Sequence, residues 1–345
     1  MAGEIIVFYT EVILPSAFLG SEIMRKKLFA LSLVLLLILP LLISCTGAGN
    51  SGVALVPQTA NTVVEVEVGQ ILSDMVLQGV YSGLAQNNTS WPQTEDAAVS
   101  QILLKTGLDL SGVSTAVFFA DIESDDRTQN TYNGIIASGN FNETTSIAKI
   151  KQQTQQTLTT SVYQGFTIYT EAQDQSVIGF LSKNQFVFGS LKAVQDVIDV
   201  SRGSQPALSG NVISTLNRLN PALIVGASVA VNSFLNQTGK DSAEENTSSL
   251  QSLQDADYIG FAFDQPNLSL SFRIDAHFPD TGSLQSAKNS ADSLISSQKT
   301  TNQDPIAKAL LNNVQISSAN SWLSIQDLIN PSDIMTLLES TTTTK

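Results

Sequence analysis

The chain reads as an α+β protein, with antiparallel sheets, helices packed on one face, and two related units. Three observations predict this. Apolar segments of strand length recur in pairs across short polar turns, at 113–123 with 132–141 and at 258–263 with 268–278, which is the pattern of hairpins. No glycine-rich strand-to-helix crossover of the dinucleotide-binding kind occurs, so a doubly wound parallel sheet is not expected. The order of hairpin followed by helix is also met twice, as a duplication would give.

Val64, Val66 and Val68 alternate with Glu65 and Glu67, the period-two pattern of a strand with one buried face. A helix is expected over 71–85, with Leu72, Met75, Val76, Val80 and Leu84 on its inner side. After a turn at 87–92, Thr94 is placed to cap a helix closing at Gly107. The first hairpin turns through Asp125, Asp126 and Asn130. Phe141, Asn142, Glu143 and Thr144 then lead into a polar helix with Ile147, Ile150 and Leu158 on its inner stripe.

Strands follow at 166–170, 176–181 and 185–188. Ser190 caps a helix carrying Val194, Val197 and Ile198 and ending before Gly203, and 211–219 is a short helix before Asn220 and Pro221. The second copy then begins. Val229, Val231, Phe234 and Leu235 echo Val66, Val68, Ile71 and Leu72, and Phe278, Pro279, Asp280 and Thr281 stand where Phe141 to Thr144 stood. Leu284, Ala287, Ala291 and Leu294 have helical spacing. Residues 314–325 give one or two strands, and Pro331 opens a closing helix capped by Asn330.

Ahead of this body lies a leader. Met24 precedes Arg25, Lys26 and Lys27, and the run 28–43 is apolar apart from Ser32 and Pro40. This is the order of a secretory signal, and the run is a little short for a spanning helix. Leu42, Ile43, Ser44 and Cys45 resemble the lipobox of bacterial lipoproteins. That resemblance implies a diacylglyceryl group on the Cys45 sulfur and cleavage just before it. Residues 1–23 carry Glu4, Glu11 and Glu22 and no basic residue, so translation is expected to start at Met24, the alternative being a genuine N-terminal extension that enlarges the hydrophobic region. The expected organisation is 1–23 as an extension outside the signal, 24–44 as signal peptide, 45–56 as flexible tether, 57–205 as first unit, 206–339 as second unit with a mobile insertion at 236–255, and 340–345 as a disordered tail.

Pro57 with its Val-rich strand, Gly139-Asn140-Phe141, the run 163–169, and Phe186 to Gly189 with Ala193, Val194, Ile198 and Asp199 resemble a family of exported bacterial proteins known as a domain of unknown function. The resemblance implies an envelope location and brings no site residues with it.

The 31 acidic and 17 basic residues leave a net charge of -14, which excludes nucleic acid as an expected partner. Cys45 is the only cysteine and His277 the only histidine, so neither a disulfide within the chain nor a thiolate or histidine metal site can be built. No cofactor and no metal are expected. Ser146-Ile147-Ala148-Lys149 and Ser296-Ser297-Gln298-Lys299 have the serine–lysine spacing of penicillin-recognising enzymes, but Lys105-Thr106-Gly107 lies upstream of both instead of downstream. Asp275 and His277 share a strand face with Ser269, Ser271 and Arg273, where they read as a solvated polar row more readily than as a base and its orienter. Asp121, Glu123, Asp125 and Asp126 gather at a turn without the glycine and distal glutamate of a calcium loop.

The expected function is therefore a lipid-anchored cell-envelope protein on the extracytoplasmic face, not an enzyme, that binds an envelope protein or serves a structural role. A carrier of an apolar ligand such as lipid is the alternative, and a serine hydrolase the third.

Overall fold

A computed structural model describes residues 52–79, 112–123, 132–154, 157–171, 176–233, 253–301 and 310–330. The leader, the capped helix ending at Gly107, the acidic turn beyond Glu123, most of the 236–255 insertion, the closing helix at Pro331 and the tail lie outside the described residues. The architecture is mixed α and β, and its strand ladders are antiparallel. Two compact units divide between Ser209 and Gly210.

The first unit orders its strands β1(Thr62–Val66), β2(Val113–Ala120), β3(Asn133–Gly139), β7(Gln185–Gly189), β6(Val177–Ser182), β5(Phe166–Glu171) and β4(Leu158–Tyr163). The folded body starts earlier than expected. Gly52–Leu55 form a 3-10 turn, and a Cβ on Gly52 would stand 3.1 Å from both the Ile136 and Val117 methyls. A side chain here would press on both methyls, so glycine lets this backbone lie close against the sheet. Val56 is fully buried, and its carbonyl accepts from the Leu208 amide at 2.7 Å. Residues 52–56 are therefore part of the folded body, with Gly52 and Val56 in its core, and not of a tether.

β1 also departs from its alternation. All five residues are buried, Glu65 included, so the strand has two covered faces instead of one. Its chain turns into α1(Val68–Ser73), which stops at Asp74. The Asp74 carboxylate accepts from the amides of Val76 and Leu77 at 2.9 and 3.0 Å and starts a fresh helical segment at 75–79. A short acidic side chain competing with the helix ladder breaks the single long helix that the apolar spacing predicts. The break rotates Met75 outward, where it is 82% exposed, while Leu72 and Leu77 point inward.

The β2–β3 hairpin forms with Phe119 against Gly134. Asn142 caps α2(Glu143–Thr154) by accepting from the Thr145 amide at 2.9 Å, and Ile147 and Ile150 are buried as their spacing requires. Leu158 does not belong to that helix. It opens β4, which pairs with β5 across Gln164 and Gly165, both at positive φ, the backbone of a two-residue hairpin turn. α3(Leu191–Ser201) starts from Ser190, whose hydroxyl accepts from the Ala193 amide, and it buries Val194, Val197 and Ile198. Fully burying each such apolar side chain contributes roughly 1.5–3 kcal/mol.

The second unit opens with α4(Asn211–Leu219), then orders β11(Gln315–Ala319), β12(Trp322–Ile329), β10(Leu270–His277), β9(Tyr258–Asp264) and β8(Ile224–Ser228). β8 is buried at every position and ends before Val229, which is 37% exposed. The apolar run thus becomes strand earlier than the Val229–Val231 pattern predicts. Leu253, within the expected mobile insertion at 236–255, is buried, as is Ala256 just beyond it, so the folded body begins again at Leu253. The second hairpin, β9 with β10, runs in register from Ser271 opposite Asp264 to His277 opposite Tyr258. α5(Thr281–Thr301) follows, and its cap is Asp280, whose Oδ1 accepts from the Gly282 and Ser283 amides at 2.7 and 3.0 Å. β11 and β12 are two strands, turned by Asn320 and Ser321 at positive φ.

Candidate functional site

The register of the second hairpin brings Tyr258, His277 and Trp322 into one row across β9, β10 and β12. The Tyr258 and His277 rings stack with centroids 4.4 Å apart and planes 6° from parallel, and Trp322 meets His277 edge-on at 5.2 Å. The His277 Nδ1 lies 3.1 Å from Asp257 Oδ2. Burial, and then the Asp257 charge, push the Tyr258 hydroxyl above its ordinary pKa.

Two residues back along β10, Asp275 is fully buried. Its neighbour in register is Gly260, and a Cβ there would come within 2.5 Å of a Thr215 methyl and 2.6 Å of a Leu219 methyl. α4 thus packs directly on this face of the sheet, which overturns the reading of a solvated polar row: Asp275 and Ser271 are buried, and Arg273 and His277 are partly covered. The same helix delivers Arg218. Its Nε donates to Asp275 Oδ2 at 2.6 Å, while Arg273 donates through Nε to Oδ1 at 2.8 Å and through a terminal nitrogen to Oδ2 at 2.6 Å. The Arg218 guanidinium also lies 4.4 Å over the Trp322 ring, a cation–π contact.

Asp275 and His277 are therefore not brought together as a base and its orienter. Both Asp275 oxygens are taken by guanidinium groups, which do not release protons in proteins. His277 turns to Asp257 instead. Burying a carboxylate requires such pairing, so the chemistry open to Asp275 is positional. It ties α4 to β10.

A second polar network lies in the first unit. Asp196 and Asp199 sit on the buried side of α3. Asp196 pairs with Lys192 one turn earlier and accepts from the Tyr132 hydroxyl at 3.2 Å and from Gln205 Nε2 at 3.2 Å. Asp199 accepts from the Tyr163 hydroxyl at 2.9 Å and from Gln205 at 3.3 Å. Burial first, and then the Asp196 charge, raise the Tyr132 hydroxyl far above its ordinary value. At Tyr163 the hydrogen bond to Asp199 is the main cause of a rise. At Tyr169, donation to Glu143 at 2.7 Å is the main cause, and the hydroxyl is pushed up to about 12.

The serine–lysine candidates fall on separate units. Ser146 and Lys149 lie one turn apart on α2, and Ser296 and Lys299 one turn apart on α5, where Ser296 is exposed. Lys105 to Gly107 and Cys45 lie outside the described residues. Asp121 is engaged by Asn61 Nδ2 at 2.6 Å and by the Glu123 amide at 3.1 Å. Sequence reasoning missed Arg218, Tyr258, Asp257 and Trp322, which come from three other elements. The one local signal was Arg218 itself, the single charged residue of α4, beside the buried stripe of Val212, Thr215, Leu216 and Leu219.

No family model matches the chain, and no curated protein matches it. Among solved structures it is similar to crystal form III of TP0453, with 9% identity, 85% of this chain and 100% of that chain covered, and a TM-score of 0.48. Form I of TP0453 gives 10% identity, 85% and 98% coverage and a TM-score of 0.44, and form IV gives 7%, 83%, 95% and 0.46.

Proposed function

We propose that this is a lipid-anchored cell-envelope protein without enzymatic activity, held on the extracytoplasmic face through a diacylglyceryl group on Cys45, whose two related α+β units bind an envelope protein or serve a structural role. The observation that carries the reading is Leu42-Ile43-Ser44-Cys45 behind a basic start and an apolar run. Two acyl chains on one residue make a lasting anchor where a single chain would not.

Relatedness of the units is supported by matching local order. β1 passes into a helix at Val68, and β8 passes into helical residues at 231–233. The β2–β3 hairpin leads to α2 under an Asn142 cap, and the β9–β10 hairpin leads to α5 under an Asp280 cap. Packing of helices on the sheets is supported at Gly179, where a Cβ would stand 3.5 Å from a Val194 methyl of α3, and at Gly260 under α4. At Gly260 α4 fills the space against β9, which favours a partner at the surface over a lipid carried at that point. The engagement of Asp275 by two arginines favours a positional role over acid–base chemistry.

Mass spectrometry of the native protein extracted from membranes tests the proposal. The expected product begins at Cys45 and carries the added diacylglyceryl mass, and Cys45→Ala moves the chain out of the membrane-anchored fraction. Recovery of the chain from the cytoplasm, with an intact leader and an unmodified Cys45, overturns it.

A further inference from the structure

Among the described residues β4 pairs with β5 alone. An outer strand exposes a row of backbone donors and acceptors, and folded proteins blunt such edges with lysine, proline, bulges or short length. β4 has none of these. It is six residues long, its register with β5 is unbroken, and it reads Leu-Thr-Thr-Ser-Val-Tyr. Residues 159–162 are exposed, and Val162 is 74% exposed.

The two-residue turn at Gln164 and Gly165 sets which groups face out. Tyr163 and Phe166 flank it as a hydrogen-bonded pair, and alternation makes Ser161 and Thr159 the next residues bonded to β5. The amides and carbonyls of Leu158, Thr160 and Val162 therefore point away from the sheet.

Charge selects the occupant. With a net charge of -14, two copies of this chain repel over most of their surfaces, yet no Asp, Glu, Lys or Arg occurs between Lys151 and Glu171. The strand itself carries no charged side chain, so pairing it with a second copy of itself opposes no like charges within the ladder. The strand is also self-complementary about Thr160. Antiparallel pairing of two β4 strands across a two-fold axis sets Thr160 opposite Thr160 and Val162 opposite Leu158, with about six hydrogen bonds through the outward groups. We infer that β4 is a homodimer contact, formed by antiparallel pairing of its free edge with the same edge of a second copy. The arrangement closes on itself and uses up both edges. An edge pair of this length falls below the roughly 1,200 Å² of a standard stable interface, so the dimer is weak and is best read by trapping. The inference does not depend on lipidation.

The test places a cysteine at the axis of the full chain, whose only other cysteine is Cys45. A hydrogen-bonded pair sets Cα atoms about 5.5 Å apart, within disulfide range. The chain, extracted in detergent and mildly oxidised, is expected to form disulfide-linked dimers as Thr160→Cys and not, above the parent's background, as Ser297→Cys on α5. Adding Val162→Pro to Thr160→Cys removes one outward amide from each copy without touching the β4–β5 ladder. Two lost hydrogen bonds should cut the trapped dimer about tenfold. The inference is overturned if Thr160→Cys traps no more dimer than the parent, if Ser297→Cys traps as much, if Val162→Pro leaves trapping unchanged, or if Thr160→Cys links to a different protein instead of to itself.

Discussion

Asp275 in the second unit and Asp196 in the first are both buried carboxylates, 0% and 1% exposed, but they are neutralised in different ways. Asp275 is held by two guanidinium groups, one from its own strand and one from α4. Asp196 is held by a lysine of its own helix, whose side chain is 66% exposed, and by neutral donors from Tyr132 and Gln205. The first arrangement joins two elements through charge. The second mostly satisfies a polar group that the helix has carried inward, and the exposed lysine adds little because water screens it. What a buried acid does for a fold thus depends on where its partners originate.

The largest effect should come from Asp275→Ala. It leaves two guanidinium groups facing a site built for a carboxylate, and breaking a buried pair in this way costs about 3–5 kcal/mol. Partial exposure of both arginines lets water relieve some of that, so the lower end is expected in urea unfolding of the full chain. Asp196→Ala, measured in the same way, should cost about 1–3 kcal/mol, mostly from the Tyr132 hydroxyl left without its acceptor. Equal losses at the two sites would break the contrast.

Tyr132→Phe sharpens it through pH. The folded state raises the Tyr132 pKa above its ordinary value near 10, chiefly by burial and then by the Asp196 charge. The stability linked to this tyrosine is therefore fully present below pH 10 and is lost as pH climbs toward the raised value. The parent should lose stability in alkali more steeply than Tyr132→Phe, while near neutral pH the variant loses only about 1 kcal/mol.

The smallest effects belong to the helix caps. Ser190→Ala should cost about 0.5–1 kcal/mol in thermal or urea unfolding. Asp280 titrates below its ordinary value near 3.8, first because the Ser283 amide donates to it. Its stabilisation is present above that ordinary value and is lost as pH falls through the lower folded one, so Asp280→Ala should flatten the acid limb.

Much of the fold was legible because its signals are local. The β2, β3 and β9 segments are apolar runs of strand length and β10 alternates in sequence, while Ser190, Asn142 and Asp280 stand where a helix needs an acceptor for its first free amides. β4 left no trace because both its faces are exposed, so no apolar alternation marks it. Asp74 was overlooked because apolar spacing continues past it, while its carboxylate wins the amides that would have continued the helix. Of the candidate site, Asp275 and His277 stood out in the sequence. Arg273, a partner of Asp275, stood beside it in the same row, but Arg218, and Asp257 for His277, lie 57 and 20 residues away, and nothing in the local pattern of β10 names them.

Taken alone, the sequence determined the order of hairpins and helices among the described residues and the Ser190 cap, because each is written within a few consecutive residues. Only the tertiary structure decided that Gly52 and Val56 belong to the core, that Glu65 is buried and that Asp275 lies under a helix. Periodicity says which side chains share a face. What comes to cover that face depends on residues far along the chain, and the energy of burial is settled there.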